Sequence, residues 1–85
     1  ITQSGQELIV QLPAEMANQS VSGTIYFYCP SDSRKDRTIA LHPTAGGQQV
    51  VTVGKDLVPA AYRVQLKWTA NEKTYFQDSY IDVKK

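Results

Sequence analysis

Between Tyr62 and Thr69 the chain reads YRVQLKWT, a strict alternation that sends Tyr62, Val64, Leu66 and Trp68 to one side and Arg63, Gln65, Lys67 and Thr69 to the other. A period of two over eight residues fits a half-buried β-strand and no helix. The same period returns along the chain, broken by turn residues every 8–12 positions. Glu7 to Leu12 alternates Leu8, Val10 and Leu12 with polar neighbours and stops at Pro13. Val21 to Cys29 sets Val21, Ile25, Phe27 and Cys29 against Ser22, Thr24, Tyr26 and Tyr28. Arg37 to Leu41, with Ile39 and Leu41 inward, and Gln48 to Val53, after an Ala45-Gly46-Gly47 turn, are shorter strands. Lys73 to Val83 pairs back on Tyr62–Thr69 through a turn at Ala70-Asn71-Glu72. No apolar period of 3.6 persists for ten positions, and Pro13 to Ala17 has room for one helical turn only.

Short connections without crossover helices make the sheets antiparallel. About seven strands at this spacing predict an all-β, immunoglobulin-like antiparallel sandwich over residues 1–85 as a single domain. Leu57-Val58-Pro59-Ala60-Ala61-Tyr62 sharpens that expectation. A tyrosine opening a late strand after a leucine and a tight turn builds a tyrosine corner, its ring inward and its hydroxyl on the backbone of the preceding loop. With 85 residues the core is small, so Trp68 is expected to be buried rather than offered to a sugar.

Charge and chemistry exclude several classes. Nine Lys and Arg against eight Asp and Glu give +1, and the densest cluster, Arg34-Lys35-Asp36-Arg37 after Asp32, mixes signs as a solvated loop does. A nucleic-acid binder needs a clustered basic face, so none is expected as partner. The one cysteine, Cys29, permits no internal disulfide. His42, followed by Pro43, has no nucleophile or orienting acid grouped with it in the sequence, and there is no nucleophile elbow or phosphate-cradling glycine loop. We expect neither an enzyme nor a cofactor. The candidate copper ligands Met16, Cys29 and His42 lie 13 residues apart in different elements, without the close spacing such sites use, and Cys29 falls on the inward face. Tyr26 and Tyr28, with Phe76 and Tyr80 on the last strand, are the candidate partner-binding residues, because neighbouring exposed aromatics on a sheet suit a protein interface. No run approaches the length of a membrane span. Opening at Ile1 rather than methionine, the chain is expected to be a processed or truncated piece whose anchor lies outside it.

The order of motifs from Gly23 to Val83 resembles the FixH family. G-T-I-Y-F-Y-C-P-S-D-S-R-K-D at Gly23 to Asp36 is followed by I-A-L at Ile39 to Leu41 and V-V-T-V at Val50 to Val53. L-V-P-A-A-Y-R-V-Q-L-K-W at Leu57 to Trp68 and K-T-Y-F at Lys73 to Phe76 complete it. Three positions depart from the pattern: Cys29 stands where the family often has arginine, Ala60-Ala61 where glycine precedes the aromatic residue, and Asn71-Glu72 where Asn-Gly or Asp-Gly is usual. The last two suggest turns that need no positive φ. The resemblance implies the soluble, periplasmic part of a small bacterial protein held in the cytoplasmic membrane by an N-terminal helix. Its implied role is assembly of a cbb-type haem–copper cytochrome c oxidase, with oxidase subunits or a copper-transporting ATPase as partners. Matched residues are then structural: Pro30, Leu57, Tyr62, Leu66, Trp68 and Tyr75. A copper carrier and a generic immunoglobulin-like module of a cell-surface protein are the alternatives.

Overall fold

Alternation of buried and exposed side chains is clearest along Ala61–Ala70 in the computed structural model, which describes residues 1–16, 20–44 and 46–84. Seven strands are seen among them: β1 (Thr2–Ser4), β2 (Glu7–Gln11), β3 (Ser22–Tyr28), β4 (Arg37–Leu41), β5 (Gln48–Thr52), β6 (Ala61–Ala70) and β7 (Lys73–Asp82). They form two antiparallel sheets, ordered β1-β2-β5 and β4-β3-β6-β7. With the chain crossing between sheets after β2, β4 and β5, this is the immunoglobulin-like sandwich that the alternation predicts. Strand β1 is the one strand the period does not announce, since three residues carry too little pattern.

The core lies between the sheets. Leu8, Val10 and Val51 of the smaller sheet face Ile25, Phe27, Val64, Leu66 and Trp68 of the larger one, with Leu12, Cys29, Leu41 and Leu57 closing the ends. Trp68 is only 3% exposed and stacks on Tyr75, ring centroids 5.5 Å apart. Tyr62 is equally enclosed, meets Phe27 edge to face, and donates its hydroxyl to the Val58 carbonyl at 2.7 Å. That is the tyrosine corner. Leu57 is buried beneath it, while Pro30 is exposed in the turn that follows β3.

Three local details go beyond the sequence or correct it. The helical turn expected after Pro13 is a 3-10 turn, Ala14–Met16, with Ala17 of the expected segment lying outside the described residues, as does Ala45 of the expected β4–β5 turn. Asn71 and Glu72 both adopt positive φ, 51° and 65°, contrary to the expectation drawn from their side chains. A two-residue hairpin between twisted strands requires that conformation; Asn71 accepts it readily, whereas the long β6–β7 ladder imposes it on Glu72, which does not favour it. Ala60 and Ala61, by contrast, keep negative φ, as expected. Gly23 answers a close approach: a methyl group there would sit 1.9 Å from the Lys67 carbonyl oxygen.

Candidate interaction face

On the larger sheet, the residues that alternate with the core set form a continuous outer face. Register fixes their rows. Tyr28, Arg63 and Tyr80 lie side by side across β3, β6 and β7. The next row is Thr38, Tyr26, Gln65 and Asp78, and the one after it Ala40, Thr24, Lys67 and Phe76. The four aromatic residues singled out from the sequence therefore share one face, two on β3 and two on β7 with β6 between them. Phe76 is 73% exposed, Tyr80 78% and Tyr28 39%, and Tyr26 is half-buried.

Each aromatic is held differently. Tyr26 and Tyr28, two residues apart on β3, lie nearly parallel at 6.3 Å. The Tyr26 hydroxyl donates to Asp36 at 3.2 Å, and the other Asp36 oxygen accepts the Cys29 amide at 2.8 Å. Burial, and next the Asp36 charge, push the Tyr26 phenol above its ordinary value. Asp36 is thus a strut that fixes the end of β3, not merely part of a solvated loop. Asp32 caps the 3-10 turn Ser33–Lys35, and its carboxyl is lowered chiefly by hydrogen bonds from Arg34. On β6, the Lys67 ammonium lies 5.7 Å from the centre of the Phe76 ring, a cation–π distance, and Arg63 reaches Asp78 at 3.6 Å.

Two depressions mark this side of the sheet. One, of about 410 Å³, has Tyr26, Gln65, Lys67, Phe76 and Asp78 in its walls. The other, of about 260 Å³, is almost wholly apolar and lies among Pro30, Tyr62, Arg63, Tyr80 and Ile81. The first sets the Tyr26 and Phe76 rings beside Lys67, and the second sets the exposed Tyr80 ring beside Arg63. Such a surface suits a protein partner: ring area drives contact, and Arg63, Lys67 and Asp78 supply direction.

The soft candidate ligands do not join it. Met16 and Cys29 are buried within the apolar cluster, Cys29 Sγ lying 3.4 Å from Ser31 Oγ, whereas His42 is exposed beyond the end of β4. Among the described residues no three of His, Cys, Asp and Glu gather as a metal site would need, and no helix is long and apolar enough to cross a membrane.

Comparison with protein-family models, with curated proteins and with solved structures yields no match to this chain.

Proposed function

We propose that this domain is a non-catalytic accessory module that works by protein–protein contact through the outer face of the β4-β3-β6-β7 sheet. The observation that carries the reading is the convergence of Tyr26, Tyr28, Phe76 and Tyr80 on that face, with two of the four largely exposed. Exposed rings of this size find their best use against another apolar surface. The order of motifs that resembles FixH gives the reading its specific form. In that form the domain faces the periplasm from a bacterial cytoplasmic membrane and helps assemble a cbb-type haem–copper oxidase, contacting oxidase subunits or a copper-transporting ATPase.

Capture experiments with the membrane-anchored parent protein test both levels. Replacing Tyr26 and Tyr28 together by alanine should abolish co-purification of the partner while leaving the fold intact. Retained capture contradicts the proposed face. A partner that is neither an oxidase subunit nor the ATPase keeps the face and removes the oxidase role. The copper-carrier alternative gains nothing from the placement of Met16, Cys29 and His42. Stoichiometric copper(I) binding by the purified domain would restore it.

A further inference from the structure

The edges of the two sheets are treated unequally. At the β4 edge the Gln49 side chain imitates a neighbouring strand: its amide donates to the Ala40 carbonyl at 3.0 Å and its oxygen accepts the His42 amide at 2.6 Å. Gln3 does the same beyond the end of β7, donating to the Lys84 carbonyl at 2.6 Å and accepting the Lys84 amide at 2.9 Å. The opposite edge, along β7 up to the Gln3 seal, has no such cover among the described residues.

That edge is long and regular. Strand β7 has ten residues, none of them buried. The two-residue turn makes Ala70 and Lys73 a hydrogen-bonded pair, and such pairs alternate along an antiparallel ladder. The backbone groups of Thr74, Phe76, Asp78, Tyr80 and Asp82 therefore point away from β6. Lys84 continues the series, and its outward groups are those that Gln3 takes. An edge of this length without proline or bulge is a template for another strand.

We infer that β7 receives an extended segment of the partner, in which apolar and basic side chains alternate on one face. The inference rests on the interaction face proposed above and names what it binds. An added strand sets its outward side chains opposite Phe76, Asp78, Tyr80 and Asp82. Apolar residues fit beside the two rings, and lysine or arginine beside the two carboxylates. The ion pairs those carboxylates now make, to Arg63 at 3.6 Å and to Lys84 at 3.4 Å, are exposed and exchange at little cost. A second copy fits less well. The two-fold register that sets Phe76 against the Tyr80 of another copy also sets Asp78 against Asp78.

The test is an NMR titration of the domain with the capped peptide KTYTKTV and with its acidic counterpart ETYTETV. Shifts and new exchange protection at the amides of Phe76, Asp78 and Tyr80, with the basic peptide only, are expected. D78K/D82K should reverse the preference, weakening the basic peptide by about tenfold or more. Asp78→Pro removes an amide that β6 does not use and should block binding in a folded domain. Equal binding of the two peptides, no binding, or shifts away from β7 overturn the inference. So does concentration-dependent dimerisation that protects these amides without peptide. Loss of partner capture by the Tyr26/Tyr28 double variant but not by D78K/D82K would keep the interaction face and remove the strand acceptor.

Discussion

Tyr62 joins two jobs in one side chain, filling the core with its ring and holding the β5–β6 connection through its hydroxyl. Removing the hydroxyl alone, in Tyr62→Phe, should cost about 1 kcal/mol in urea unfolding at neutral pH. The pH dependence has a definite sign. Burial raises the Tyr62 phenol above its ordinary value of 10.0, so the folded state holds that proton more tightly than the unfolded chain. The resulting stabilisation is intact below pH 10 and is lost as the pH rises through the folded-state value. Tyr62→Phe should flatten this alkaline decline, leaving the part due to Tyr26, whose phenol is raised by burial and by Asp36. An unchanged alkaline profile would mean that Tyr62 does not titrate as described. This corner was legible in advance because its parts are local: a leucine, a turn and a tyrosine at the head of an alternating run. Asp36 was not, since its partners Tyr26 and Cys29 become neighbours only after β3 and β4 have paired.

At the scale of the element, the β6–β7 hairpin carries a conflict between side chain and conformation. Glu72 at φ 65° occupies the left-handed region, which glycine enters without strain. Glu72→Gly should therefore stabilise the domain by about 1 kcal/mol, read as a higher urea midpoint with an unchanged slope. A loss of stability would mean that the turn depends on the glutamate. Gly23 presents the opposite case. Its alanine variant would press a methyl group into the Lys67 carbonyl and Trp68 Cα across the ladder, and should cost about 3 kcal/mol. Wild-type stability in Gly23→Ala would show that β3 and β6 can separate there. Strand periods revealed six of the seven strands to within a residue or two, because one buried face forces alternation wherever it occurs. Turn conformation stayed hidden for a physical reason: the ladder, not the side chain, sets the φ of Glu72. The seals made by Gln3 and Gln49 were equally out of reach, for glutamine in a strand has no distinguishing pattern until the opposite sheet is in place.

For the whole molecule, a sandwich of 85 residues has stability of only about 4–13 kcal/mol to lose. Trp68→Ala should remove about 3–5 kcal/mol of it, and Trp68→Phe much less. Phenylalanine keeps most of the packing on Tyr75, and the indole N–H it discards is buried without a hydrogen-bond partner among the described residues. Equal losses in circular-dichroism melts of the two variants would assign that N–H a role. The division of labour follows from this economy. Inward rings hold the sheets together, and the outward ones on β3 and β7 contribute little to the core. The face was partly legible, since Tyr26 and Tyr28 alternate with core residues, but its breadth depends on the β6–β7 register, which joins Phe76 and Tyr80 to them.

Site-specific photo-crosslinking in the native cell compares the two outer faces of the sandwich directly. A photoreactive residue at Phe76 or Tyr80 should yield one specific protein adduct, while the same residue at Val50, which is exposed on the smaller sheet, yields none. Adducts from Val50 but not from β7 would contradict the account, because the partner would then bind the sheet that lacks the aromatic face.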